Sequence, residues 1–258
     1  IDWTGHGISW VIETTGMCVT KQDITMFPGV RLLLAYPAPG CADTVVIRGL
    51  QQNNDDQVVS IGASYDQALR LLVDHINATW GVVAGSVTVF DAYTDDYLPQ
   101  VGIEDLVNEN FTLNAVQRSA ARTLLPCAEK NMHMIGYDTV SVTRFSLPLE
   151  RASLVDCAFL VQKNVDSNQV IQALNAIVRK ELSGVVEWST AAIGSCDVID
   201  NPHVLLIDES LIRVQGNLIK ICGWYDAVTS CAVTLREVLK NTAVVSTKCV
   251  ATEQQNNV

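Results

Sequence analysis

The residue types that could carry chemistry are few in this chain. Eight cysteines stand at positions 18, 41, 127, 157, 196, 222, 231 and 249. No two have C-x-x-C spacing, and the nearest pair, Cys222 and Cys231, fits no common zinc ligand pattern. Several sit in apolar runs, such as Val155 to Val161 and Leu218 to Cys222, where a reduced, buried thiol acts as a small hydrophobe. Cys127 and Cys196 lie in more polar, loop-like sequence and are the two candidates for a reactive thiol. His6, His75, His133 and His203 are widely separated in sequence. His75 lies roughly 16 Å along a predicted helix axis from Ser64, too far to act as its base. The pairs Asp55–Asp56, Asp95–Asp96 and Glu104–Asp105 lack the spacing of a calcium loop and read as solvated charge, so no metal site is expected.

The elements that must position these residues follow from hydrophobic patterning. Ile8 to Glu13, Arg31 to Tyr36, Thr44 to Arg48 and Gln57 to Ile61 are short, nearly uninterrupted apolar runs, as strands covered on both faces require. A short helix is predicted over Thr20 to Phe27. An amphipathic helix follows from about Ser64 to Thr79, with Ala68, Leu71, Leu72 and Ile76 on one face. The second half changes texture. Strands are predicted at Gly85 to Phe90, Thr139 to Phe145, Leu154 to Gln162, Val204 to Ile207, Ile212 to Val214 and Asn217 to Trp224, the last two joined at Gln215-Gly216. Helices are predicted at Ser167 to Leu182 and Cys231 to Leu239. Strands with short connections around a long helix indicate an α+β domain with an antiparallel or mixed sheet, behind the remnant of an α/β domain.

Composition bounds the function classes. The chain has 258 residues, 48% hydrophobic and 17% charged, which excludes wholesale disorder. A net charge of −11 argues against nucleic acid and anionic membrane as partners, because phosphate would be repelled. No apolar run is long enough to span a bilayer, and Ile1-Asp2-Trp3 does not open a signal peptide, so a cytoplasmic or organelle-matrix location is expected.

Several segments, taken in order, resemble the glyceraldehyde-3-phosphate dehydrogenase family, including its erythrose-4-phosphate dehydrogenase branch. Gly7 to Gly16 resembles that family's G-V-D-x-V-I-E-x-T-G strand and turn, and Pro37-Ala-Pro39 its S-A-P turn. Thr44 to Gly49 is loosely similar to T-I-V-x-G-V. Ala92-Tyr93-Thr94 matches the end of V-H-A-Y-T, and Arg118 to Pro126 resembles R-A-A-A-x-N-I-I-P. Ser153 to Asp156, Asn217 to Lys220 and Trp224-Tyr225-Asp226 are similar to S-V-V-D, N-L-V-K and W-Y-D. The resemblance implies a Rossmann-type NAD domain represented only by a remnant at 1–62, a second α+β domain with a mixed or antiparallel sheet at 63–226, and a C-terminal helix and tail at 227–258 packing back on the first domain.

The departures from the family pattern carry the functional expectation. The resemblance begins partway through the dinucleotide-binding half, and Gly5-His6-Gly7 precedes a strand instead of following one. Thr15 and Gly16 keep a weak nicotinamide-side contact, while Ala227 replaces the family's amide-binding asparagine. Ser64 stands at the position of the nucleophilic cysteine and Asp91 at that of the partner histidine. A serine hydroxyl is far less acidic than a thiol, and a carboxylate is a poor substitute for imidazole as the base of hydride transfer. Ser146 takes the place of the phosphate arginine, leaving Arg118 and Arg144 as weak substitutes, and Glu129 would repel a phosphate. The expectation is a catalytically inactive relative with no bound cofactor, NAD being the family's, and a structural or protein-binding role with a protein partner or as a homo-oligomer. The alternative is an NAD-dependent aldehyde dehydrogenase, acting on glyceraldehyde 3-phosphate or erythrose 4-phosphate, with an unrecognised nucleophile or a further N-terminal half.

Overall fold

The computed structural model describes residues 1–50, 56–92, 124–126, 133–134, 136–149 and 151–255. They form two compact units, Ile1–Leu71 with Val228–Val258, and Leu72–Ala227. The boundary between the units falls inside helix α1 (Ser64–Trp80). No helix among the described residues is long and apolar enough to cross a membrane.

The first unit is built on a parallel sheet of β1 (Trp10–Glu13), β2 (Arg31–Leu34), β3 (Thr44–Val45) and β4 (Val58–Ser60), in the order β1-β2-β4-β3. Burial on both faces explains why β2 is apolar at consecutive positions. Leu32 and Leu34 pack with Cys18, Cys41 and Val58 on one face. Leu33 points the other way, to Val46, Val59, Ile61 and the Leu235 and Val238 side chains of helix α3 (Ala227–Gln255). Two polar devices fix this unit. The Gln67 amide donates to the Val46 and Ile61 carbonyls, each at 2.5 Å, and accepts from the Arg48 N–H at 2.9 Å. The Arg48 side chain, 6% exposed, forks onto Glu237 of α3 at 2.7 and 3.0 Å.

The helix expected over Thr20 to Phe27 contracts to one 3-10 turn, Asp23–Met26. Pro28 disfavours helical geometry at Phe27, which adopts φ −123° and ψ 59°. The Asp23 carboxylate meanwhile accepts from the Val19 and Thr20 N–H groups.

The second unit carries a nine-stranded mixed sheet. Its strands are β5 (Val82–Ala92), β6 (Leu125–Pro126), β7 (His133–Met134), β8 (Tyr137–Leu147), β9 (Ala152–Val161), β10 (Val186–Ser189), β11 (Leu205–Asp208), β12 (Arg213–Gln215) and β13 (Leu218–Asp226). The order is β10-β11-β13-β9-β5-β8-β6, with β12 on β13 and β7 on β8. Strands β5 and β8 run parallel, as do β10 and β11; the other pairs are antiparallel. Alternation with period two gives the sheet one buried face, including Val87, Val89, Val155, Cys157, Phe159 and Ile221. The opposite face is more open, with Leu160 and Leu218 exposed and Phe90 stacked on Phe145 at 5.9 Å. Helix α2 (Ser167–Lys180) begins with a capping box between Asp166 and Gln169 and buries Val170, Leu174 and Val178. The architecture is thus a parallel α/β unit and an α+β unit with a mixed sheet, the class the sequence indicated. Strand β10 had no separate sequence signal; its edge position leaves Glu187, Trp188 and Ser189 half-exposed.

Candidate functional site

Asp91 lies near the end of β5, next to the strand β8 that carries Arg144. In their parallel register Arg144 is opposite Val89 and Ser146 is opposite Asp91. Arg144 is therefore the diagonal neighbour of Asp91 on the same face, within reach of a long side chain. Its Nε and Nη2 donate to Asp91 Oδ2 at 3.1 and 2.9 Å. The Asp91 and Arg144 side chains are only 13% and 22% exposed.

A third group reaches the same carboxylate from two strands away. Tyr225 on β13 is in register with Ser153 on β9, the strand between β13 and β5. Its hydroxyl donates to Asp91 Oδ1 at 2.6 Å. Burial pushes the Tyr225 phenol well above its ordinary range, and the neighbouring Asp91 charge adds to the effect, so the phenol stays protonated and acts as donor. The Ser153 hydroxyl accepts from the Ala92 N–H at 3.4 Å, tying the end of β5 to β9.

Three donors thus occupy an acceptor with about four lone-pair sites. A proton taken up by Asp91 would neutralise its ion pair with Arg144 and weaken the bond from Tyr225. The arrangement suits a structural ion pair better than a general base. Arg144, expected as a weak substitute for the phosphate arginine, points its guanidinium at Asp91, and Ser146, expected at that arginine's position, is 2% exposed. Asp91 and Arg144 were singled out separately from sequence. Their partnership, and the participation of Tyr225, emerge only from strand register, although opposite charges on two apolar strands were a usable signal.

Ser64 opens α1 in the first unit, half-buried, with Asp66 in the same first turn. Among the described residues its hydroxyl makes no hydrogen bond. Thr15 and Gly16 follow β1 directly. The Thr15 N–H and hydroxyl both donate to Glu13 Oε1, and Gly16 turns the chain at φ +77°. Ala227 begins α3 and offers only a methyl group. The Gly5-His6-Gly7 segment forms a closed turn, with the Gly7 N–H bonded to the Thr4 carbonyl at 2.9 Å, and it lies at the amino end of β1. A dinucleotide phosphate cradle needs the opposite end of a strand, leading into a helix. The residues of this turn therefore do not fit a pyrophosphate.

The remaining candidates divide simply. Cys196 is exposed in a 3-10 turn, Ser195–Val198. Cys18, Cys41, Cys157, Cys222 and Cys231 are buried or half-buried, with thiols held protonated chiefly by desolvation. Arg118, Cys127, Glu129, Asp55, Asp95, Asp96, Glu104 and Asp105 lie outside the described residues. Among the described residues no three His, Cys, Asp or Glu side chains converge as a metal set. A shallow cleft of about 440 Å³ in the first unit is lined by Lys21, Phe27, Pro28, Asp43 and Gln57, and the Lys21–Asp43 ion pair at 2.6 Å lies in its wall.

Residues 67–227 match the family model described as glyceraldehyde 3-phosphate dehydrogenase, C-terminal domain. Over 238 residues the chain is 24% identical to the plasmid-encoded glyceraldehyde-3-phosphate dehydrogenase of Cupriavidus necator, covering 88% of this chain and 69% of that protein. It is 25% identical to the glyceraldehyde-3-phosphate dehydrogenase of Mycolicibacterium smegmatis over 88% of this chain and 68% of the relative. It is 26% identical to glyceraldehyde-3-phosphate dehydrogenase 1 of Bacillus cereus over 89% of this chain and 70% of the relative.

Proposed function

Because the chain belongs to the glyceraldehyde 3-phosphate dehydrogenase family, we propose that it is a member that keeps the scaffold without the aldehyde chemistry, and that it acts by binding protein. The observation that carries this reading is the Asp91 carboxylate held by Arg144 and Tyr225 at the position where the family resemblance places a catalytic histidine. Ser64, at the nucleophile position, has no bonded base among the described residues to activate its hydroxyl. The methyl group of Ala227, at the place where the resemblance expects an amide-binding asparagine, supports the absence of a bound NAD.

The partner in this reading is a second copy, docked through the open face of the nine-stranded sheet, the surface through which the family resemblance implies assembly. Its stacked Phe90 and Phe145 and its exposed Leu160 and Leu218 supply apolar area, and the Lys220–Asp156 pair at 2.9 Å supplies polar contacts. Light scattering tests this part: a well-behaved monomer at tens of micromolar contradicts it.

The catalytic part is tested by incubating the protein with NAD and glyceraldehyde 3-phosphate or erythrose 4-phosphate and following absorbance of the reduced cofactor. No turnover is expected. Turnover that survives Ser64→Ala overturns the reading and favours the second one, an NAD-dependent aldehyde dehydrogenase using another nucleophile. The names of the relatives favour that alternative.

A further inference from the structure

Five apolar side chains stand in lateral register across the open face of the nine-stranded sheet. Phe145 on β8 is opposite Phe90 on β5, Phe90 opposite Leu154 on β9, Leu154 opposite Trp224 on β13, and Trp224 opposite Leu206 on β11. Residues in register share a face, so the five form one row. Its Leu206 end is covered by residues 190–204, the connection from β10 to β11. Val198 of the 3-10 turn Ser195–Val198 is 0% exposed and packs on Ala152 and Leu206, with Ile193 and Trp224 bordering the same cluster.

A closed ring of polar contacts fastens this segment to the sheet. The Asp200 N–H donates to Oδ2 of the fully buried Asp226 at 2.9 Å. Arg151 Nη2 donates to the same oxygen at 2.9 Å and to Asp200 Oδ1 at 2.6 Å. Asp200 is thus held twice, through its main chain by Asp226 and through its carboxylate by Arg151.

The fastened state carries costs in the same place. Arg151 at φ 57° and Asp200 at φ 66° are the two non-glycine residues with positive φ among the described residues, a conformation that disfavours any side chain. The Trp224 indole N–H is buried under the segment with no acceptor among the described residues. Strain and an unmet donor therefore oppose the ring and the Val198 contact, which is the balance a two-state element needs.

We propose that residues 190–204 form a latched strap over the Leu206–Trp224 end of the apolar row, and that it opens as a unit, without unfolding of the sheet, when the Arg151–Asp200–Asp226 ring is released. Opening relaxes both left-handed residues, hydrates the Trp224 indole and lengthens the exposed apolar row. The strap goes beyond the second-copy reading and does not depend on it.

Hydrogen exchange in the isotope-labelled 258-residue chain tests this, with the Trp224 indole signal identified by its loss in Trp224→Phe. The Trp224 indole and the Asp200 and Asn201 amides should be at least tenfold less protected than the central amides of β9 and β13. Their exchange should change little with urea up to about 1 M, since a local opening exposes little surface, whereas the central amides respond steeply. Asp200→Ala, at a side chain 76% exposed, should speed all three by one common factor of about ten, and Asp200→Gly, which suits the positive φ but also lacks the carboxylate, by less. Added sodium chloride should speed exchange in the parent and act more weakly in Asp200→Ala. Three results overturn the proposal: a Trp224 indole that follows the urea dependence of the central amides, exchange unchanged by Asp200→Ala, or unequal responses of the three groups to that substitution. A chain that stays monomeric while the three groups exchange as expected contradicts the second-copy reading alone.

Discussion

The ion pair between Asp91 and Arg144 can be tested with a double-mutant cycle. Asp91→Asn keeps the shape and removes the charge, and Arg144→Met removes the cation while keeping most of the stem. Breaking a fully buried pair from one side costs roughly 3–5 kcal/mol. Here the side chains are 13% and 22% exposed, so water partly solvates the charge left behind. Each single variant should therefore lose about 2–3 kcal/mol. At about 2–4 °C per kcal/mol for a domain of this size, the melting temperature should fall by roughly 4–12 °C. The double variant removes the charge and its counter-charge together, so its loss falls short of the sum by about 1–3 kcal/mol. Urea titration and thermal melts monitored by near-ultraviolet circular dichroism read these differences. Asp91→His should be at least as destabilising as Asp91→Asn, because it takes the carboxylate away from Arg144 and Tyr225. Strictly additive single variants, or singles that cost under about 0.5 kcal/mol, would refute the view that this carboxylate is a structural lock.

Glu237→Gln should destabilise the first unit by about 1.5–3 kcal/mol in urea titrations, because Arg48 is 6% exposed and loses a charged acceptor for two of its bonds. Gly223→Ala would place a methyl 2.5 Å from Leu205 Cδ1 and 3.3 Å from the Leu206 carbonyl, and a loss of about 1–3 kcal/mol is expected. Arg151 adopts φ 57° and bridges Asp200 at 2.6 Å and the fully buried Asp226 at 2.9 Å. Both Arg151→Ala and Arg151→Gly should melt below the parent, with the glycine variant the higher of the two because it fits the positive φ. Alkaline pH gives a further test through Cys222, pushed up to about 11 by burial and then by the Asp156 charge. The unfolded chain releases this proton near 9.0 and the folded chain holds it to about 11. Its contribution is full below pH 9 and is lost as pH rises through that interval, about 1–2 kcal/mol after allowing for partial exposure. Cys222→Ala should flatten the fall in stability between pH 9 and 11, and an unchanged slope would contradict the assignment.

Much of the fold was legible in the sequence because burial leaves a periodic trace. The three consecutive leucines Leu32 to Leu34 announced a strand covered on both faces, and they are fully buried between two clusters. The strand predicted at Gly85 to Phe90 lies within β5, where Val87 and Val89 are buried. The Asp166 and Gln169 spacing agrees with the observed start of α2. Signals that compete were harder to read: Pro28 shortened the expected helix over Thr20 to Phe27, and β10 had too little alternation to stand out. In the candidate site, the family resemblance led to the expectation that Ser64 and Asp91 stand at reactive positions, which is a matter of residue type. What Asp91 does there depended on register, because strand pairing set Arg144 diagonally beside it and brought Tyr225 across an intervening strand. Side-chain chemistry is written residue by residue along the chain, whereas partnership is set by distances between segments far apart in sequence, which exist only once the chain has folded.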